Sequence, residues 1–242
     1  YEKSNPKSRL PEGLKPVEGV VYGEVPELIE IKQDDLRLLV DPWRGQKTGF
    51  FLDQRENRRA LRPYIRPGDR VLDCFCYTGA FSMMAAKRGA YVLGVDISER
   101  AIKLCYENAR LNDVLDRCRF EVGDVFDKLL ELERSGERFD VVILDPPAFA
   151  KDRETVRAAL KGYREINTRA MRILKPGGIL ATSSCTHHVG EGTFLNMLSV
   201  ASRKAGRQIQ FLEIRSHPWD HPISPYCSES KYLKFVICRA LD

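Results

Sequence analysis

The segment ILATSSCTHH (179–188) ends an apolar run at Cys185, and Thr186, His187 and His188 follow it. A cysteine thiolate is a strong nucleophile, and nearby histidines can adjust its ionisation. The alternative is a small buried core residue, because cysteine is among the residue types most often buried. The polar neighbours favour a nucleophile at the end of a strand.

Three carboxylates also follow apolar runs: Asp96 after AYVLGV, Asp124 after RFEVG and Asp145 after FDVVIL. In an open α/β sheet, ligands bind at the carboxyl ends of the strands, where such side chains meet. Asp96 is placed to accept both hydroxyls of a ribose. Asp124 is placed to receive an adenine amino hydrogen. These positions predict a site for an adenosine-containing ligand.

The segment DPPAF (145–149) begins at the last of these carboxylates. Pro146 and Pro147 fix its backbone, because each proline ring locks its own φ angle. Phe149 could stack on a nucleic acid base. We therefore predict that this segment binds the substrate.

The first strand end, VLDCFCYTGAF (71–81), distinguishes between nucleotide ligands. A dinucleotide-binding turn needs the pattern GxGxxG, because its backbone approaches a pyrophosphate closely. Only Gly79 is present here, while Phe75 and Tyr77 occupy positions that require small residues. The segment disfavours a nucleotide-dependent oxidoreductase and favours a ligand without phosphate, such as S-adenosylmethionine.

Short apolar runs alternate with helical periods from about residue 70, which predicts a parallel sheet covered on both faces. The last two strands have no helix between them, so we expect them to be antiparallel. LKPGG (174–178) is expected to end the longest helix in a turn. The predicted strands are 70–75, 90–96, 119–124, 139–147, 178–185, 208–216 and 231–240, and the predicted helices are 79–89, 98–112, 124–134, 153–174 and 191–205. This is an α/β, Rossmann-like, seven-stranded sheet with one antiparallel strand, the arrangement of class I methyltransferases.

The N-terminal residues have a different pattern. Residues 1–52 are predicted to form a small β-rich subdomain with a hairpin over 27–42, and residues 53–242 form the second domain. The chain opens on Tyr1 rather than on methionine. We therefore expect that an upstream part is missing.

Composition excludes several classes of protein. The seven cysteines are scattered without a CxxC pair, and the four histidines do not pair with them at finger spacing, so we expect neither a disulfide framework nor a metal site. No apolar run approaches the roughly 18 residues of a membrane span. These features predict a cytoplasmic protein without a membrane partner, and they leave open whether it forms a homodimer.

Arginines recur every three or four residues in one segment, which predicts that most of them lie along one helix face. The net charge of +5 permits an anionic partner. A solvated face is the alternative for a single stripe, but two stripes near the strand ends favour RNA. The first stripe is Arg55, Arg58, Arg59, Arg62 and Arg66, and the second is Arg153, Arg157, Lys161 and Arg164.

Several segments together resemble the bacterial large-subunit ribosomal RNA 5-methylcytosine methyltransferases. They are KTGFFLDQRENR, DCFCYTGAF, GVDIS, GDVFD, FDVVILDPPAFAK and LKPGGILATSSC. The resemblance covers about residues 20–240 and implies S-adenosylmethionine as cofactor and large-subunit ribosomal RNA as partner. It also implies an RNA-binding PUA domain upstream, which is missing or cut short here.

The resemblance also implies the residues of the cofactor site. Asp96 would hold the ribose and Asp124 the adenine, while Gln54 or Arg55 would close the site from the N-terminal side. The methionine end would be lined by Asp73, Phe75, Tyr77, Thr78 and Gly79, and Ile97, Ser98, Val125 and Asp145 complete the set of cofactor-binding positions.

The reaction of this family requires a nucleophilic cysteine, because carbon 5 of cytosine is itself a poor nucleophile. Addition of the Cys185 thiolate to carbon 6 makes carbon 5 reactive towards a sulfonium methyl group. Asp145 is expected to bind the N3/N4 edge of the cytosine. Another branch of RNA 5-methylcytosine enzymes has a second cysteine after the two prolines, which DPPAFAK lacks. The acceptor of the carbon-5 proton is therefore unassigned, with Asp145 or a water bound to it as one option.

Two other functions stay open at this point. A methyltransferase acting on a guanine nitrogen would keep every cofactor residue but would not need Cys185. A non-catalytic RNA-binding protein would need neither DPPAF nor SSC. Substitution of Cys185 separates the guanine-nitrogen methyltransferase from the covalent mechanism. For substrate binding we expect Pro146, Pro147, Phe149, Arg58, Arg59 and Arg62 to contribute.

Overall fold

The structure is a computed structural model that describes residues 1–4, 7–150, 152 and 154–242. The chain divides into two compact units, Tyr1–Leu52 and Asp53–Asp242. The first unit contains two antiparallel strand pairs: β1 with β2, and β3 with β4. Their bounds are Glu2–Ser4, Val17–Gly19, Ile29–Gln33 and Leu36–Val40. The second pair is the hairpin expected over residues 27–42, and Asp34 in its turn has a φ of +56°.

The second unit is built on a seven-stranded sheet of the order β10-β11-β9-β8-β5-β6-β7. Its strands are β5 (Arg70–Cys74), β6 (Tyr91–Asp96), β7 (Cys118–Val122), β8 (Phe139–Leu144), β9 (Leu174–Ser184), β10 (Ile209–Arg215) and β11 (Lys234–Ala240). β11 is antiparallel to both of its neighbours, whereas the other pairs are parallel. The predicted α/β sheet with one reversed strand is therefore confirmed.

In the described part of this unit, six α-helices accompany the strands. They are α1 (Arg55–Leu61), α2 (Ala80–Lys87), α3 (Glu99–Leu111), α4 (Val125–Arg134), α5 (Val156–Ile173) and α6 (Glu191–Ala205). Ser98 begins α3 by accepting a hydrogen bond from the Ala101 amide at 3.2 Å, and Asp124 begins α4 by accepting one from the Phe126 amide at 2.7 Å. None of the helices in the described part of the chain is long and apolar enough to cross a membrane.

The central strand β8 is almost wholly buried, as expected for a parallel strand covered on both faces. Tyr163 and Ile166 of α5 and Phe194 of α6 are fully buried in the same core. This packing fixes the carboxyl ends of β5, β6 and β8 as one rigid edge. The sequence-predicted site residues lie along this edge.

The LKPGG segment differs from its prediction. The longest helix ends at Ile173, but Leu174 already pairs with Phe139 of β8. The next pair in the register is Val141 with Ile179, so Lys175–Gly178 bulges out of β9. Gly177 has a φ of +74°, a conformation that glycine adopts without strain. The proline and glycines typical of a turn are therefore present, but they form a bulge within a strand.

Candidate active site

The loop after β5 is held in an unusual backbone conformation. Phe75 and Tyr77 have φ angles of +61° and +48°, which cost a non-glycine residue roughly 1–2 kcal/mol each. The loop is held by two hydrogen bonds, from the Cys76 amide to the Val95 carbonyl at 3.1 Å and from the Tyr77 amide to Asp96 Oδ2 at 2.9 Å. Strained residues that the surrounding structure holds in place cluster at ligand-binding sites.

The carboxylate of Asp96 is oriented by backbone donors on both sides. Tyr77 donates to Oδ2, and the Ser98 amide donates to Oδ1 at 2.9 Å. Each oxygen keeps a second lone pair, so the carboxylate can still accept two hydroxyl groups. The neighbouring Ile97 is 73% exposed, which offers an apolar surface beside them. The arrangement suits a ribose with its base.

Two residues of the expected adenine site occupy different environments. Asp124 is exposed at the start of α4, where its Oδ1 accepts the Phe126 amide and Oδ2 is left for a ligand. Val125 is buried in the main hydrophobic core, and its side chain is therefore a core residue. Any contact from Val125 to a ligand would have to come from its backbone.

Asp73 is a buried carboxylate with an unused acceptor. Its Oδ2 accepts a hydrogen bond from Ser82 Oγ at 2.6 Å, but among the described residues Oδ1 has no partner. Burial is the main cause that raises the pKa of Asp73 to about 7. A buried oxygen without a donor is costly, so the geometry calls for a ligand that donates there. The α-ammonium group of S-adenosylmethionine is such a donor.

The rest of the loop supports this assignment. Thr78 is buried, and its carbonyl accepts a hydrogen bond from Asn108 Nδ2 at 2.9 Å. Gly79 begins α2 with a φ of +81°, and a Cβ atom there would lie 3.1 Å from Cys105 Sγ. The tight loop therefore needs glycine at this position. The described residues of this loop are compatible with the methionine end of the cofactor, and their binding role stays a prediction.

Asp145 lies at the end of β8 and is fixed by two donors to one oxygen. Gln54 Nε2 and Ser183 Oγ lie 2.7 Å and 2.5 Å from Asp145 Oδ1. Asn57 Nδ2 in turn donates to Gln54 Oε1 at 2.7 Å, which orients the amide. Burial is the largest cause that raises the pKa of Asp145 to about 6, although both donors act to lower it. Oδ2 is the oxygen that these two bonds leave for a ligand.

Gln54 and Arg55 differ from the expected closing role. Gln54 is buried and bound to Asp145, so it supports the carboxylate. Arg55 Nη1 lies 2.7 Å from Asp220 Oδ2, and its Nε lies 3.1 Å from Glu56. Both side chains are thus engaged by other protein groups, Gln54 by Asp145 and Arg55 by Asp220 and Glu56.

Cys185 directly follows β9 and is half-buried beside the DPPAF segment. Its Sγ lies 3.9 Å from the carbonyl oxygen of Pro146, the residue after Asp145. The thiol therefore contacts the residue that follows Asp145 in the chain. His187 Nε2 lies 3.7 Å from Glu229 Oε1, and the rings of His187 and His188 are 5.0 Å apart.

The DPPAF segment presents only part of its expected surface. Pro147 is exposed, whereas Pro146 is buried. The ring of Phe149 is half-buried among three other aromatic rings, at centroid distances of 6.3 Å to Phe75, 5.9 Å to Phe126 and 4.6 Å to Tyr163. These rings surround Phe149, so its expected role as an open stacking platform is not supported. Its packing instead holds the segment against α5.

The first arginine stripe does not form one solvent face, which corrects the prediction. Arg58 is 2% exposed and its guanidinium lies over the ring of Phe81, 5.7 Å from its centroid. The helix is also short, since α1 ends at Leu61. Arg59 is exposed and lies 2.7 Å from Glu56, while Arg62 is half-buried. Arg58 therefore does not belong to a solvent-exposed face.

The second stripe agrees better with its expectation. Arg157 and Lys161 are exposed on α5, and Arg164 on the same helix is half-buried. Arg153 lies outside the described residues. Within the described part of the chain, cysteine, histidine and carboxylate side chains form no group of three that could hold a metal ion.

Several residues near Cys185 were not singled out in the sequence. Ser183 binds Asp145, Tyr232 Oη donates to Asp53 Oδ2 at 2.8 Å, and Lys234 is buried on β11. Lys234 carries a signal in the sequence, because it interrupts the apolar pattern of KYLKFVICRA. A lysine is almost never fully buried unless it is paired. Asp53 and Tyr232 are 179 positions apart, and no local pattern joins them.

The sheet order, the single reversed strand and the carboxylates along one edge define a class I methyltransferase. A family model described as S-adenosylmethionine-dependent methyltransferase matches residues 16–236, and the chain belongs to this family. The predicted cofactor, S-adenosylmethionine, is thereby confirmed, and the oxidoreductase alternative is excluded. When bound, this cofactor supplies an electrophilic methyl group.

Relatives and solved structures agree with this family. A ribosomal RNA large subunit methyltransferase I from Aeromonas hydrophila is 43% identical over 244 residues, which cover 99% of this chain and 61% of that protein. The chain thus spans about three fifths of the length of the curated relatives it matches.

Two solved structures share the fold with a TM-score of 0.79 each. A protein from Streptococcus mutans described as a SAM-dependent methyltransferase is 26% identical, and the match covers 91% of this chain and 57% of that one. SMU.776, described as a methyltransferase and solved in complex with SAH, is 29% identical, with 90% and 58% covered.

Proposed function

We propose that this protein methylates carbon 5 of a cytosine in large-subunit ribosomal RNA and that Cys185 forms a covalent bond to carbon 6 during the reaction. The observation that supports the proposal is the 3.9 Å contact between Cys185 Sγ and the carbonyl oxygen of Pro146, the residue that follows Asp145. The substrate class is supported by the Aeromonas hydrophila relative, which is named a ribosomal RNA large subunit methyltransferase I.

The chemistry assigned to Cys185 begins with addition of its thiolate to carbon 6. The electron pair of the C5=C6 double bond then moves to carbon 5, which forms the new bond to the methyl group. A base removes the carbon-5 proton, the double bond re-forms, and the thiolate leaves. A nitrogen of guanine needs none of these steps, so a thiol at this place favours cytosine.

Asp145 is assigned to the base edge of the cytosine. Its Oδ1 is fixed by Gln54 and Ser183, which aims Oδ2 in one direction. In the ionised state, Oδ2 accepts a hydrogen bond from the cytosine amino group. Because its pKa is raised to about 6, the carboxyl group is mostly ionised at pH 7. This pKa is near enough to the working pH for the group to gain or lose a proton during the reaction.

RNA binding is supported by the surface near the end of β10. The connector between β10 and β11 carries Trp219 and Tyr226, which are 85% and 98% exposed. Arg55 of α1 lies 2.7 Å from Asp220 in this connector, and Arg59 on the same short helix is exposed. Cations that bind phosphates, combined with exposed rings on which bases stack, are typical of single-stranded RNA surfaces.

The test uses the full-length protein and RNA that carries 5-fluorocytosine at the target. Fluorine at carbon 5 blocks the final elimination, so the wild-type protein should form an adduct that survives denaturation. Cys185→Ala should form no adduct and should lose methyl transfer, while its affinity for S-adenosylmethionine stays close to that of the wild type.

Cys227→Ser is the matched control, because Cys227 is an exposed cysteine of the connector. This variant should form the adduct normally. Methyl transfer by Cys185→Ala at a rate comparable to that of the wild type would contradict the covalent mechanism and favour a nitrogen target. Absence of methyl transfer from the wild type to any RNA would favour a non-catalytic RNA-binding protein.

A further inference from the structure

Lys234 is a lysine buried at the first position of β11, where it is 2% exposed. β11 is antiparallel to β9, and Lys234 is the register partner of Ser184. The residue after Ser184 is Cys185, which was assigned above as the nucleophile. The reversed strand therefore brings a buried cation to the strand end that carries the thiol.

The amino group of Lys234 is held in place by two backbone carbonyls. Nζ donates to the Thr186 oxygen at 2.6 Å and to the Tyr232 oxygen at 2.7 Å. Thr186 directly follows Cys185, and its hydroxyl shares a hydrogen bond of 2.7 Å with Tyr163. An ammonium group has three donors, so these two bonds leave one donor for another acceptor.

Cys185 is the titratable group whose negative charge favours the protonated form of Lys234. Among the described residues, no carboxylate forms an ion pair with Lys234. Burial lowers its pKa to about 8, and Cys185 is the neighbour whose negative form acts in the opposite direction. A charge buried without a partner is expensive, so the protein gains when a thiolate stands beside the ammonium group.

The other titratable groups around this place do not replace Lys234. Burial raises the pKa values of Tyr163 on α5 and Tyr232 before β11, and it lowers the pKa of His217. All three side chains are therefore neutral near pH 7. Two carboxylates lie near this place: Asp53 accepts the hydroxyl of Tyr232 at 2.8 Å, and Asp145 accepts hydrogen bonds from Gln54 and Ser183.

We infer that Lys234 is the counter-ion of Cys185, which holds the thiolate ready for attack and stabilises it again when it leaves the base. Because the pKa of Lys234 is about 8, Nζ is mostly protonated near pH 7. The thiol therefore loses its proton to solvent, and the electron pair of the S–H bond stays on sulfur. The total charge of the pair falls from +1 to zero, so the buried ammonium group gains a counter-charge. The role in attack rests on the proposed function, whereas the ion pair itself does not. Lys234 is thus a positioning residue for the nucleophile.

The ion pair can be tested by alkylation of Cys185 with iodoacetamide as a function of pH. The rate is followed on the peptide that contains Cys185 by mass spectrometry, because the exposed Cys227 also reacts. In the wild-type protein the rate should rise with a midpoint below the usual thiol pKa of about 8.5. In Lys234→Met, a change that keeps the apolar length, the midpoint should rise by a unit or more, so that alkylation at pH 7 becomes at least about tenfold slower.

Lys175→Met is the matched control. Lys175 lies in the bulge of the neighbouring strand β9 and is paired with Asp140 at 2.8 Å. This variant should keep the wild-type alkylation profile. If Lys234→Met is folded and also keeps that profile, the inference is overturned. If Lys234→Met does not fold, the wild-type protein decides, because a midpoint at or above the usual thiol value contradicts an ion pair.

The adduct with 5-fluorocytosine RNA separates this inference from the proposed function. A wild-type adduct together with an unchanged alkylation profile in Lys234→Met overturns the counter-ion alone. A shifted profile without any wild-type adduct supports the ion pair and overturns its role in attack. When both are correct, Lys234→Met forms the adduct more slowly, and the loss is recovered in part as the pH is raised.

Discussion

The amide of Gln54 donates a hydrogen bond of 2.7 Å to Asp145 Oδ1, which ties the residue before α1 to the end of β8. The two residues are 91 positions apart. Asn57 donates to the Gln54 side chain and keeps its amide oriented. The Asp145 carboxylate therefore cannot rotate without breaking its hydrogen bonds to Gln54 and Ser183. The direction of the other oxygen, Oδ2, is therefore fixed by contacts within the protein.

Gln54→Leu should shift the pH dependence of catalysis. A donor to a carboxylate favours its ionised form, so loss of this donor raises the pKa of Asp145 further above its present value of about 6. The acidic limb of kcat/KM should move to higher pH, and activity near pH 6 should fall more than activity at pH 8. Gln210→Leu, at an exposed position of β10, is the control and should keep the wild-type profile. An unshifted acidic limb in Gln54→Leu would mean that Asp145 does not need its charge.

Asp96→Ala should weaken the binding of S-adenosylmethionine. Hydrogen bonds to a charged group are worth roughly 1.5–3 kcal/mol, which corresponds to a loss of about one to two powers of ten in affinity. The change also removes the acceptor of the Tyr77 amide, so the loop after β5 loses one of its supports. Calorimetry measures the affinity, and Asp127→Ala on α4 provides an exposed control. Wild-type affinity in Asp96→Ala would place the ribose elsewhere.

Cofactor binding should release a proton from Asp73. The pKa of this buried carboxyl is about 7 in the protein without ligand, so near pH 6.5 it is largely protonated. An ammonium group placed beside Oδ1 favours the ionised form and drives the proton into the buffer. Calorimetric titrations at pH 6.5 in two buffers of different ionisation enthalpy should reveal this release. Asp73→Asn should abolish it, and a wild-type enthalpy that is independent of buffer would contradict the assignment.

Asp73 should also lower stability as the pH rises from about 4 to 7. Its pKa in the folded protein is raised above the unfolded value of about 3.9, so over this range the folded state holds more protons than the unfolded state. The free energy of unfolding therefore falls with increasing pH through this group. In Asp73→Asn the fall should be smaller. Urea denaturation at pH 5 and pH 7 measures the free energy of unfolding at each pH. The same change between the two pH values in both proteins would show that Asp73 ionises normally.

The two kinds of RNA contact should separate by their dependence on salt. Arg157→Gln combined with Lys161→Gln removes two exposed cations of α5, so the slope of log K against log salt should become shallower by up to about 1.4–1.8. Trp219→Ala should cost about 1–3 kcal/mol and leave the slope unchanged, because stacking releases no counterions. Filter binding by the full-length protein at several salt concentrations distinguishes the two. The same slope in the α5 double variant and the wild type would make this stripe a solvated face.

The sequence predicted those parts of the site that depend on local pattern. Strand ends can be read from apolar runs, so Asp96, Asp145 and Cys185 were found at the correct edge of the sheet. Arg58 was misplaced because periodicity gives the spacing of side chains but not which side of a short helix faces the core. Lys234 was missed for another reason, since its importance depends on a strand pairing between residues 50 positions apart in the chain.

The bulge in LKPGG shows the same limit on a smaller scale. Proline and two glycines indicate a change of chain direction, and the segment does leave the regular ladder. Whether such a segment ends a strand or interrupts it depends on what pairs before it, and here Leu174 already pairs with Phe139. That pairing depends on β8, which lies far from LKPGG in the sequence.

β11 is inserted between β9 and β10, although both of these strands precede it in the chain. During synthesis, β9 and the thiol that follows it are complete while the strand that carries Lys234 is still to be made. The strands β5, β6 and β8 of the cofactor edge are also complete at that point. Under the proposed mechanism, Cys185 therefore gains its counter-ion only when β11, the last strand of the sheet in chain order, has been inserted.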